Sequence, residues 1–179
     1  MAVATPAGDE VLASDDEPAL LAALDELIAR LPPGVLVTWN GSAFDLPFLA
    51  TRAAACELEL GLVLAGGGSP APLRAAPGLG AYRASWHGHD HLDAYRVYRN
   101  DLPRLLPPVS CSLKSVARLV GLAVIEEDRT ALHRLSAQRL ADYVASDARL
   151  ARALAECRWR TAVRFLDRLI VGQLTPVAV

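Results

Sequence analysis

Between the breakers Pro32-Pro33-Gly34 and the turn pair Asn40-Gly41 lies Val35-Leu36-Val37-Thr38-Trp39, a continuous apolar and β-branched run. It is too short for a helix and does not alternate, so it predicts a strand buried on both faces. Helical patterns flank it. Leu20, Leu21, Leu24, Leu27, Ile28 and Leu31 recur at helical spacing behind Ser14-Asp15-Asp16-Glu17, which offers a cap and an acidic first turn. A second helix is expected from Asp45-Leu46-Pro47 to about Cys56, a short one from Leu113 to Val120 stopped by Gly121, and a long one from about Ser136 to Arg160. Strand, helix, strand and then several helices describe an α/β domain, and ligands bind such sheets at the carboxyl ends of their strands.

Around this frame, Ala2 to Ser14 alternates weakly about Pro6-Ala7-Gly8-Asp9, as a short hairpin does. Gly61 to Tyr82, rich in Gly and Pro, reads as a flexible loop, and Trp86 to Asp93 reads as a strand. A length of 179 residues fits one domain. We expect that domain to cover 1–160, with a helical extension or tail over 161–179. No stretch is apolar enough to span a bilayer, and Met1-Ala2-Val3-Ala4-Thr5-Pro6 is not a signal peptide, so a cytoplasmic place and no membrane partner are expected. Cys56, Cys111 and Cys157 are scattered and read as reduced thiols, not as a zinc set. The net charge of −2 excludes a generally basic nucleic-acid coat, so any case for nucleic acid must come from a local site.

Two carboxylates invite such a case. Leu140, Tyr143, Val144, Ala151 and Leu154 lie at −7, −4, −3, +4 and +7 from Asp147, which puts Asp147 within the apolar stripe of the last helix. A carboxylate there must be neutral, paired with a cation such as Arg118, or bound to a metal, because an unpaired buried charge costs several kcal/mol. Tyr143, one turn earlier, is able to set its hydroxyl beside it. Asp45 has a structural reading as the helix N-cap, with Phe44 stapled against Leu49. That reading leaves Asn40 unexplained: an amide and a carboxylate stand over the same rim of the sheet.

Asn40-Gly41-Ser42-Ala43-Phe44-Asp45-Leu46-Pro47 resembles the second motif of the DEDD superfamily of 3′–5′ exonucleases, as found in the proofreading domains of family-B DNA polymerases. Tyr143-Val144-Ala145-Ser146-Asp147 resembles the third motif in its Tyr-x-x-x-Asp form. His91-Leu92-Asp93 and Ser112-Leu113-Lys114-Ser115-Val116-Ala117 are similar to connecting segments of these proteins, and the likeness runs from about Glu17 to Trp159. It implies a ribonuclease H-like fold, a mixed sheet with flanking helices. It also implies hydrolysis of phosphodiester bonds at the 3′ ends of single-stranded DNA or RNA by a two-metal mechanism. Asp45 and Asp147 would be metal ligands, Tyr143 would orient the attacking water, and Asn40, Phe44 and Lys114 would contact the substrate. Two ions about 3.5–4 Å apart need several converging carboxylates, and oxygen ligands suit Mg²⁺ or Mn²⁺.

One motif is missing. The family opens on a strand bearing Asp-x-Glu, whereas Asp15-Asp16-Glu17 follows the candidate hairpin and reads as helix capping. The opening strand is therefore expected to be absent, on the order of 10–25 residues. That would leave Val35–Trp39 with an open edge, prone to pairing as a homodimer, and the chain inactive. Either the start is mis-set or the chain is a degenerate member, a nucleic-acid or protein-binding module of the same fold; a nucleotide phosphohydrolase is a further reading.

His87, His89 and His91 would share one face of an extended strand and form a transition-metal set, or else be a polar strand entry, with Asp93 as a strand-end cap. Arg96, Arg99, Arg104, Lys114 and Arg118 are candidates for phosphate contact or for a solvated face. Arg158, Arg160, Arg164 and Arg168, with Trp159 and Phe165, suit a docking helix. Replacing Asp147 by Asn should leave the fold as stable or more so if its charge is buried without a partner.

Overall fold

The structure, a computed structural model, describes residues 1–65, 82–99, 101–102, 105, 109–128 and 130–167. The chain opens with an antiparallel hairpin, β1 (Ala2–Thr5) and β2 (Gly8–Val11). Its open end is fastened where the Met1 ammonium donates to the Leu12 carbonyl at 2.7 Å and Leu12 N–H donates back to the Met1 carbonyl at 2.9 Å. Helix α1 (Glu17–Arg30) follows, capped by the Asp16 carboxylate, which accepts from Ala19 N–H at 3.4 Å. Glu17 pairs with Arg52. Asp16 and Glu17 thus serve helix ends and a helix–helix tie, as their sequence position suggests.

The apolar run forms β3 (Val35–Thr38), parallel to β6 (His89–Asp93) with Leu36 opposite His91 and Thr38 opposite Asp93. The sheet order is β3-β6-β5-β4, with β5 (Arg83–Trp86) and β4 (Leu62–Ala65) both antiparallel to their neighbours. This is a mixed sheet of the ribonuclease H-like kind. The expected single strand over Trp86–Asp93 is a hairpin instead. His87 and Gly88 form a two-residue turn with φ of 47° and 81°, and that pair of positive angles matches the twist of the flanking strands. Likewise β4 lies inside the stretch expected to be loop, of which residues 66–81 lie outside the described residues.

Helices cover both faces of the sheet, as β3 demands. On one side α1 and α2 (Asp45–Ala55) enclose Leu24, Ile28, Leu46, Ala84 and Trp86, and Leu36 packs there. On the other, α3 (Tyr95–Tyr98), α4 (Leu113–Leu119) and α5 (Ala137–Cys157) enclose Leu92, Val97, Val116 and Leu154, and Val35 and Val37 pack there. Ser112 and Ser136 cap α4 and α5, and Gly121, at φ 80°, ends α4 as expected. After α5 a bend at Arg158 leads to α6 (Trp159–Ala162) and a 3₁₀ turn. The chain goes on packing against the core past residue 160. Ala162 is fully buried, Phe165 and Leu166 pack on the core, and Asp167 N–H donates to the His91 carbonyl at 2.8 Å.

The hairpin β1–β2 stands apart from the four-stranded sheet, yet α5 packs against β1, β2 and β3 alike. Leu154, with no exposed surface, anchors that helix to the core. Leu154→Ala should therefore cost about 2–5 kcal/mol of stability, measured by urea denaturation.

Candidate active site

The site is built where β3 ends. Asn40 sits in the left-handed region at φ 63°, which Asn tolerates better than most residues, and that accounts for its place in the turn. Gly41 is required by contact: a Cβ there would lie 2.4 Å from Thr38 Oγ1. The turn is held from below by Asp93, which is almost fully buried. Its carboxylate accepts Asn40 N–H at 2.7 Å, Ser42 N–H at 3.2 Å and Tyr95 N–H at 3.1 Å. Asp93 is thus the strand-end cap its position suggested.

Asp45 is the first residue of α2, one position past the cap. The N-cap is Phe44, with no side-chain cap bond, and Phe44 is exposed, so neither the expected Asp45 cap nor the Phe44–Leu49 staple forms. The carboxylate is left over for other work. Asp45 reaches solvent at the rim of a cleft while protein crowds its inner side. That desolvation, and secondarily the Asp93 carboxylate, push its pKa above the ordinary Asp value against the opposing bond from its own N–H.

Asp147 enters the same cleft from α5. It has a cation partner, but not Arg118, which pairs with Glu126. The partner is Lys114, whose ammonium lies 3.5 Å from Asp147 Oδ1. Lys114 is buried: it donates to the Ile125 carbonyl at 2.7 Å and sits 3.9 Å over the Tyr143 ring. The sequence reading placed Lys114 on substrate and Tyr143 beside the attacking water. In the structure Lys114 is enclosed, and Tyr143 is buried beneath it, away from the cleft lining. Helical spacing shows a stripe but not what covers it.

The cleft itself, of about 1520 Å³, gathers Asn40, Phe44, Asp45, Phe48 and Asp147. Phe48 was not singled out from the sequence, although its i, i+4 spacing from Phe44 at a helix start is the signal: both rings are exposed on one side of α2. The histidines make no metal set. His87 lies in the β5–β6 turn, where its Nε2 is 2.9 Å from Asp25 Oδ2. His89 accepts Gly34 N–H, and His91 is wedged between Thr38 Oγ1 at 2.9 Å and Asp167 Oδ2 at 3.0 Å. Arg96 serves the interior, donating to Asp167, Ser42 and the Tyr82 carbonyl. Arg104 and Arg168 lie outside the described residues.

A mixed sheet with helices on both faces thus carries Asp45 and Asp147 on one cleft beside its edge strand β3. The family model for the exonuclease domain of DNA polymerase family B matches residues 2–116, and the chain belongs to that family. A search of curated proteins finds no match. The matched segment includes Asn40 and Asp45 but stops short of Tyr143 and Asp147. DEDD exonuclease domains use divalent ions. Among the described residues, however, no three His, Cys, Asp or Glu side chains gather to hold one. Asp45 and Asp147 alone do not make the set that a two-ion mechanism needs.

The two carboxylates should respond oppositely to neutralisation in metal-free buffer. Asp45→Asn should raise Tm at pH 7, on the order of 1 °C, because the raised pKa means that the ionised form opposes folding. The gain should vanish at about pH 3, where the carboxyl is protonated in both states. Asp147→Asn should instead lower stability, by about 1–3 kcal/mol, since it strips a counter-charge from a buried lysine. Thermal and urea melts of the two variants check both signs.

Proposed function

We propose that the cleft receives the single-stranded 3′ end of a nucleic acid, the end on which a 3′–5′ exonuclease acts. The observation that carries this is the pairing of Asp45 with the exposed rings of Phe44 and Phe48 on the first turns of α2, in a cleft completed by Asp147 and Asn40. Aromatic faces stack on bases whatever their sequence, at about 1–3 kcal/mol per base, and suit an unpaired strand. The Asn40 amide at the rim adds a donor and an acceptor for the terminal sugar or base.

Hydrolysis is the family's reaction, with Mg²⁺ or Mn²⁺ as its cofactor. Among the described residues the carboxylates on the cleft are too few for two ions, and Lys114 already neutralises Asp147, so no hydrolytic step is assigned to them alone. The same observation favours the second reading, a module that binds strand ends without cutting them.

The chain should bind a fluorescent single-stranded oligonucleotide, and Phe44→Ala should weaken binding about tenfold in anisotropy titrations. With Mn²⁺ it should leave 3′-labelled strands and free nucleotides intact. Trimming of the labelled strand would show a complete catalytic set, cleavage of free nucleotides would favour a phosphohydrolase, and absence of strand binding would remove the proposal.

A further inference from the structure

Asp167 stands in a fork of the sheet. β5 and β6 pair at Ser85–Asp90 and Trp86–His89, and one step further that register would set Ala84 against His91. Asp167 lies between those two residues instead. Its N–H donates to the His91 carbonyl at 2.8 Å, and its Oδ2 accepts Ala84 N–H at 3.3 Å. A carboxylate only 4% exposed needs a donor for each oxygen. Oδ2 also meets His91 Nδ1 at 3.0 Å, and Oδ1 accepts Arg96 Nη1 at 2.9 Å.

Both side-chain partners lead to the turn that follows β3. A proton on His91 Nδ1 serves Asp167 and leaves Nε2 to accept from the Thr38 hydroxyl at 2.9 Å. Gly41 passes over that same hydroxyl so closely that a Cβ there would lie 2.4 Å from it. Arg96 turns its other nitrogen, Nη2, to Ser42 Oγ at 3.0 Å and to the Tyr82 carbonyl at 3.0 Å. Tyr82 N–H in turn donates to the Ser42 carbonyl at 3.2 Å.

The turn is therefore held twice. Asp93 takes its backbone N–H groups, while Asp167 takes its side chains, Thr38 through His91 and Ser42 through Arg96. Between these two held residues stand Asn40 and Gly41, and the Gly41 carbonyl accepts Phe44 N–H at 3.3 Å and Leu46 N–H at 3.0 Å. A shift of the turn is thus passed directly to Phe44 and Asp45, and a rim binds well only when its groups are held in place beforehand.

We propose that Asp167 is a positioning residue for strand binding: seated in the β5–β6 fork, it holds Arg96 and His91 so that the turn presents Asn40, Phe44 and Asp45 to the strand end. The proposal rests on the strand-end reading of the cleft.

The test uses the full chain, anisotropy titration with the fluorescent single-stranded oligonucleotide, and hydrogen exchange of segment 42–48 read by mass spectrometry. Arg96→Lys keeps a charge for Asp167, but one ammonium does not reproduce the planar fork that spans Asp167, Ser42 and Tyr82. It should leave Tm within about 5 °C of the unaltered chain. It should nevertheless speed exchange over 42–48 and weaken strand binding, each roughly fivefold to tenfold. Asp167→Asn should do the same, and adding Ser42→Ala to it should change little, because both cut one chain of bonds. Leu150→Ala, a core change outside this network and outside the cleft lining, should lower Tm while leaving 42–48 exchange and strand affinity unaltered. Unchanged exchange over 42–48 in Arg96→Lys, or additive effects of Asp167→Asn and Ser42→Ala, would overturn the proposal; Arg96→Lys decides alone if Asp167→Asn does not fold. Absence of strand binding by the unaltered chain would remove the strand-end reading, whereas the exchange data judge the tie between Asp167 and the turn in either case.

Discussion

The carboxylate of Asp93 is the tie on which the site depends. It sits at the carboxyl end of β6 and gathers N–H groups from Asn40, Ser42 and Tyr95, thereby clamping the exit of β3, the approach to α2 and the start of α3 to one point. Backbone donors of that kind are costly to bury unmet. Meeting them with a single carboxylate is what allows the chain to turn sharply at Asn40-Gly41 and still deliver Phe44 and Asp45 to the cleft. The same charge presses on Asp45 and contributes to its raised pKa. Asp93 thus bears on the shape of the rim and, after desolvation, on its electrostatics.

On the other side of the cleft the governing interaction is Lys114 with Asp147. A lysine closed in by the Tyr143 ring and the Ile125 carbonyl is tolerated because a carboxylate stands 3.5 Å away. Asp45 and Asp147 therefore differ in kind. One is a carboxylate crowded by protein and by a like charge. The other is half of an ion pair that couples α4 to α5. A divalent ion entering between them would relieve the first and compete with the lysine for the second.

The long helix α5 reconciles these parts. It lies across the hairpin and across β3, carries Asp147 to the cleft, and buries Leu154 in the core. Its small residues face the space between the two sheets.

Much of this was legible in the residues. A short apolar run between breakers specified a doubly covered strand, the apolar spacing and caps located α1, α4 and α5, and Asn40 to Asp45 marked the family. Those features are local, and local periodicity and turn chemistry encode them directly. The sequence by itself also separated Asp15-Asp16-Glu17, a helix start, from a catalytic strand. Only the tertiary structure decided partners. It turned Lys114 inward to Asp147 where Arg118 had been the candidate, buried Tyr143, spent the histidines and Arg96 on interior bonds, and split Trp86–Asp93 into a hairpin at His87-Gly88. Each of these depends on what a distant segment places against the residue, and a distant neighbour leaves no period in the local sequence.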